Sequence, residues 1–192
     1  MPQKPNSNLK EYLEKMKKIE KKYKQDSYKI SCNLFNNILC NIQANNSDIN
    51  GLELLHIKKI NDLDPVTKNT GFYIILSNID LPKNKCKFEI LVDNILYKAI
   101  YRGEATDKHS RLIGHLFQQQ YQGNHVNFMN VAYLDRTYNG IDVDHPPFNK
   151  FNWIVIQFKM NDTCRSTRIQ MEKAFDEVFN RPIFSKENKK VK

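Results

Sequence analysis

At 192 residues the chain is long enough to bury one substantial core with an appendage, and too short for several domains. Its 30 Lys and Arg against 21 Asp and Glu give a formal charge of +9, so a polyanionic partner is the leading expectation, although the same charge also serves solubility alone. No apolar run approaches the ~20 residues that span a bilayer, and no signal-peptide pattern opens the chain. The four cysteines, Cys32, Cys40, Cys86 and Cys164, show neither C-x-x-C nor zinc spacing. They read as reduced, mostly buried thiols of a soluble cytoplasmic protein.

Residues 1–7 are rich in Pro, Asn and Ser and read as disordered. From Asn8 to Gln25, Leu9, Leu13, Met16, Ile19 and Tyr23 recur at helical spacing among seven lysines, which predicts an amphipathic basic helix. That helix is either a surface element packed on the core or a contact to a DNA backbone. A second helix is predicted over Ser27 to Cys40, a loop over the Asn/Ser-rich stretch Asn41 to Gly51, and a short helix or strand over Leu52 to Leu63. Asp64-Pro65 breaks the chain, so a basic, mainly helical extension (1–64) is expected before a core domain (65–192).

Within that core, Gly71 to Leu76 and Ile95 to Tyr101 read as apolar strands, with a further strand over Lys87 to Val92. A helix from about Ser110 to Tyr121 carries Arg111 and His115 one turn apart on one face. Asp135 to Lys150 reads as a long loop, Asn152 to Phe158 as a strand and Ser166 to Asn180 as a closing helix. The expected fold is α/β or α+β, a small mixed or antiparallel three-stranded sheet flanked by helices.

Two strands each bearing a tyrosine, Tyr73 and Tyr101, followed by Arg111 and His115, make a candidate active site. Gly71-Phe72-Tyr73 resembles the first signature of the GIY-YIG nuclease family, and Tyr101-Arg102-Gly103 resembles the second. Arg111 and His115 sit at the spacings where that family carries its arginine and, often, a histidine. Glu172, followed by the proline of Arg181-Pro182-Ile183-Phe184, is similar to the helical glutamate that holds a metal in such nucleases. The resemblance covers Thr70 to Asn188. It implies a DNA endonuclease in which Tyr73 orients or deprotonates a water with help from Tyr101 or His115. Arg111 would clamp phosphate oxygens through its planar fork, and Glu172 would hold one Mg2+ or Mn2+ per site.

The chain departs from the family pattern in places. Phe72 and Arg102 replace isoleucine in the two signatures, and Glu104 stands where many members carry lysine. The segment from Ser77 to Asn94 is longer than in minimal members, as in some restriction enzymes of the family. Ser185 and Asn188 both remain open as the polar residue after the proline. Glu177 rivals Glu172 as the carboxylate, and Asp142, Asp144 and His145 form a competing set of metal ligands. Lys108, Arg136, Lys150, Arg165 and Arg168 are candidate phosphate contacts. A restriction endonuclease cutting duplex DNA as a homodimer is the leading expectation. A single-strand- or structure-specific nuclease and a non-catalytic nucleic-acid-binding module are its rivals.

Overall fold

The computed structural model describes residues 7–43, 53–66, 68–118, 120, 131–133, 136–138 and 140–186. The predicted disordered start before Ser7 and most of the predicted loop from Asn41 to Gly51 lie outside them. Among the described residues, seven strands and three α-helices follow in the order α1 (Ser7–Gln43), β1 (Glu53–Ile57), β2 (Gly71–Ser77), β3 (Glu89–Val92), β4 (Ile95–Ala105), α2 (Lys108–Leu116), β5 (Val131–Tyr133), β6 (Arg136–Tyr138), β7 (Trp153–Lys159) and α3 (Arg165–Phe179).

The main sheet has five strands in the order β1-β7-β2-β4-β3, every pair antiparallel. The expected sheet of three strands is therefore too small: β3 and β1 extend it at both edges. Because β1 pairs with β7, residues on both sides of the expected boundary near Asp64 share one sheet. The two predicted N-terminal helices are a single helix of 37 residues, since no Gly or Pro interrupts them and the second half has a face to bury.

Helices cover both faces, which is why β2, at the centre, is buried at every position and reads as a continuous apolar run rather than an alternating one. On one face α1 and α3 close an aromatic core around Phe35. Its ring lies 5.4 Å from Phe175, 5.8 Å from Phe72 and 5.9 Å from Phe179. On the other, α2 packs Leu112 and Leu116 against Tyr73, Ile75, Ile100 and Trp153.

One irregularity sets the site. Ile75 pairs with Tyr101 and Leu76 with Ala99, so Ile100 is an extra residue in β4, a β-bulge. The bulge breaks the alternation of side chains: Tyr97 and Ala99 belong to the core under α1 and α3, whereas Ile100 and Tyr101 both belong to the core under α2. Beyond it, β3 no longer covers β4, and the C-terminal segment takes over. Phe184 N–H donates to the Ile100 carbonyl at 3.0 Å and Arg102 N–H to Ser185 Oγ at 2.8 Å.

Among the described residues, no helix is long and apolar enough to cross a membrane. Of the cysteines, Cys86 is buried, Cys32 half-buried and Cys164 exposed, all three free.

Candidate active site

Tyr73 lies opposite Gly103 in the β2–β4 pair, and the missing side chain at Gly103 makes room for the phenol. A Cβ there would sit 2.8 Å from Tyr73 Oη and 2.9 Å from Tyr101 Cε1, so the glycine is a steric requirement of the two rings. The rings stack at 6.1 Å with 24° between their planes. α2 starts with Asp107 as its cap, whose carboxylate accepts from Ser110 N–H at 3.1 Å, and this start sets the helix phase. The imidazole of His115 is thereby placed 4.4 Å from Tyr101 and 6.2 Å from Tyr73, ring centre to ring centre. Arg111, one turn earlier, reaches the same two phenols.

Burial dominates the electrostatics. It drives the Tyr73 hydroxyl well above the usual phenol range, reinforced by Tyr101 and only partly offset by Arg111. Burial likewise raises Tyr101, with Arg111 pulling it down and the charge of Glu172 pushing it up. Both phenols are therefore hydrogen-bond donors at neutral pH. Burial opposes the charge on Arg111, but the two phenol oxygens outweigh it and its acidity weakens further. Burial and the neighbouring cations Arg111 and Lys186 depress His115 to about 3. The imidazole is neutral, and neither of its nitrogens has a hydrogen-bond partner among the described residues.

Glu172 lies on α3, which packs on the opposite face of the sheet, and its charge acts on Tyr101. It is buried, and its Oε1 lies 3.2 Å from Arg102 Nη1. Arg102, almost wholly buried, also holds Asp176 through two bonds, Nε to Oδ1 at 3.0 Å and Nη2 to Oδ2 at 2.7 Å. Glu172 therefore belongs to a neutralised buried network. The rival Glu177 is exposed on α3 and lies near Tyr28 of α1, away from the tyrosine pair.

The chain has no match among protein-family models, curated proteins or solved structures.

Of the five residues expected to form the site, Tyr73, Tyr101, Arg111 and His115 lie together, while Glu172 is paired with Arg102 and bears on Tyr101 only through its charge; the expected phosphate contacts scatter. Lys108 is buried under β2, its ammonium donating to the carbonyls of Asn69 at 3.1 Å and Thr70 at 3.3 Å, and burial lowers its basicity. Arg168 is also buried, bonded to Glu104 at 3.0 Å and to the Thr163 carbonyl at 2.6 Å. Neither is placed at the surface that a phosphate contact needs. Arg165 is exposed beside Glu104, Lys150 is exposed in a short 3-10 helix, and Arg136 lies on β6.

Asp142, Asp144 and His145 bring their ligand atoms within 4.8 Å of one another. Asp144 is already shared between Gln120 Nε2 at 2.5 Å and His145 Nδ1 at 2.8 Å. Ser185 is the polar residue that binds the backbone of Arg102, donating to its carbonyl at 3.3 Å. Asn188 lies outside the described residues.

Sequence reasoning missed Arg102 and Asp176. The signal was an arginine inside an apolar strand, which must find a partner when buried, and two acids one turn apart on α3.

Proposed function

We propose that the chain binds and hydrolyses a phosphodiester of DNA at the cluster of Tyr73, Tyr101, Arg111 and His115. The observation that carries this reading is a half-buried guanidinium that forms no carboxylate ion pair among the described residues, set against two protonated phenols and a neutral imidazole. Such a set offers donors and positive charge to an oxyanion and little to a cation. Arg111 takes two non-bridging oxygens through its fork and stabilises the charge that grows on them in the pentavalent transition state. Tyr73 and Tyr101 donate to the same oxygens or hold the attacking water. His115 accepts a hydrogen bond from that water, and a bound phosphate raises its basicity from the depressed value of the free protein. DNA, rather than another phosphodiester, fits the charge of +9. Sequence-specific cutting of duplex DNA remains the leading form of this proposal.

The metal implied by the resemblance was assigned to Glu172. A carboxylate whose oxygen lies 3.2 Å from a buried guanidinium is a closed ion pair and does not fit Mg2+ or Mn2+ as folded. The same ion pair favours a second reading, a module that binds nucleic acid without cutting it.

The test is incubation of the protein and of Arg111→Ala with supercoiled duplex and with single-stranded DNA, each with Mg2+ and with EDTA. Discrete duplex fragments from the wild type, and none from Arg111→Ala, are expected. Cutting of single strands alone sinks the restriction-type reading. DNA binding with no cleavage on any substrate leaves the binding module. Cleavage only with Mg2+ means that Arg102 yields Glu172 to the ion.

A further inference from the structure

α1 has two apolar faces that serve different ends. Over its second half, Phe35 and Ile38 are buried in the core, and Tyr28 and Cys32 pack against it. Its first half is different: every residue from Leu9 to Tyr23 is exposed, so this stretch is an uncovered helical arm, tied at its end by the contact of Tyr23 with Thr167. Isolated helices of about 15 residues are marginal in water unless an apolar face is packed. The arm nevertheless carries Leu9, Tyr12, Met16, Ile19 and Tyr23, 45–69% exposed, separated by three and four residues in turn. This alternation is the 3.5-residue seam of a two-stranded coiled coil.

We propose that the arm of α1 is a dimerisation helix that pairs in parallel with the arm of a second copy of this chain. The charges beside the seam choose the partner and its direction. Lys15 precedes the seam residue Met16, and Glu20 follows the seam residue Ile19. In a parallel pair the first kind of position faces the second kind five residues on, which sets Lys15 against Glu20 of the partner twice over. In an antiparallel pair the lysine-bearing edges, Lys15 and Lys22, face each other and repel. In the monomer Lys15 is engaged by Glu11 at 2.7 Å and Glu20 by Lys24 at 2.5 Å, exposed one-turn pairs that are easily exchanged.

The seam also stops where the fold requires. Its next position is Asp26, which opposes its own copy, and α3 already engages α1 at Tyr23, whose Oη lies 2.5 Å from Thr167 Oγ1. Beyond that point the helix belongs to its own core. A DNA backbone would satisfy the lysines but leave the apolar seam in water.

The experiment is sedimentation equilibrium of the full chain across roughly a hundredfold range of concentration, with circular dichroism as the check on folding. The wild type is expected to approach twice its 22.7 kDa mass. Met16→Glu with Ile19→Glu is expected to stay monomeric and folded, and Lys17→Glu, on the outer face, to dimerise as the wild type does. Lys15→Glu should weaken the dimer roughly fivefold to tenfold, and adding Glu20→Lys should restore it. A monomeric wild type, a dimer that survives the double seam change, or a charge swap that restores nothing each overturns the proposal. A monomer that binds anionic vesicles through the seam residues also overturns it, in favour of a lipid surface.

Discussion

Arg102→Met removes a guanidinium while keeping a side chain of similar reach in β4, and its effect can be worked from the burial of its partners. Arg102 is 3% exposed at the side chain, Glu172 8% and Asp176 21%. Without Arg102, Asp176 keeps Arg181 at 3.3 Å and some solvent, but Glu172 loses the guanidinium 3.2 Å from its Oε1. Removing one member of a buried ion pair costs about 3–5 kcal/mol, and most of that is expected here. Glu172→Gln should cost less, about 1–2 kcal/mol, because Arg102 retains both bonds to Asp176 and the amide oxygen still accepts. The double variant leaves no isolated charge and should be more stable than Arg102→Met alone.

Urea unfolding midpoints at constant slope measure all three variants. The same titrations with Mg2+ then ask what Glu172 can hold. With Arg102 gone, a cation can take the place of the guanidinium beside the carboxylate, and an ion at ten times its dissociation constant stabilises the fold by about 1.4 kcal/mol. The wild type should gain nothing. Additive losses in the double variant, or equal stabilisation of wild type and Arg102→Met by Mg2+, would refute the view that Arg102 holds the carboxylate.

The acid limb of stability should carry the signature of His115. Its basicity falls from 6.5 to about 3 on folding, so between these values the unfolded chain binds the extra proton. Stability is then complete above pH 6.5 and lost as pH falls toward 3, by up to roughly 5 kcal/mol at about 1.4 per unit. His115→Leu should flatten this limb, and an unchanged pH profile of unfolding would exclude His115 as its source. Gly103→Ala forces a Cβ to within 2.8 Å of Tyr73 Oη, and the packed rings must shift at a cost of about 1–3 kcal/mol. Under the proposed function, DNA cleavage by this variant should fall far more than its midpoint of unfolding. Equal activity at equal protein would show that the position of the two phenols does not matter.

Much of the fold was legible because burial leaves a plain mark on sequence. β2 and β7 are largely buried, and their apolar runs, Phe72 to Leu76 and Trp153 to Ile156, announce it. α1 is one helix where two were expected, over Asn8 to Gln25 and Ser27 to Cys40, because Phe35 and Ile38 dock where the first half does not. β1 was ambiguous because an edge strand of mixed exposure is defined by its partner, β7, a hundred residues away.

In the site, Tyr73, Tyr101, Arg111 and His115 were legible from strand and helix phase. The bulge at Ile100, which aims Tyr101, was not, since nothing local distinguishes that residue from its apolar neighbours. Lys108 and Arg168 were misjudged for one reason: formal charge suggests solvent, but each finds buried acceptors that only the tertiary fold provides.

The odd residues at 102 and 104 are physically one device. They lie two apart on β4 beyond the bulge, hence on the same face, and both point to α3. α3 answers in matching order, with Arg165 and Arg168 on Glu104, then Glu172 and Asp176 on Arg102. Sliding α3 by one turn, about 5.4 Å, would oppose like charges, so the paired bridges fix the helix in one register against the strand.

Glu104 therefore cannot be exchanged alone for the lysine that the resemblance would place there. Glu104→Lys sets a third cation beside Arg165 at the surface and Arg168, 3% exposed, in the interior. The expected outcome is a loss of about 3 kcal/mol with no gain in cleavage, partly recovered when Arg168→Glu is added. A single Glu104→Lys variant that unfolds at the wild-type urea concentration would show that the two bridges do not set the register of α3.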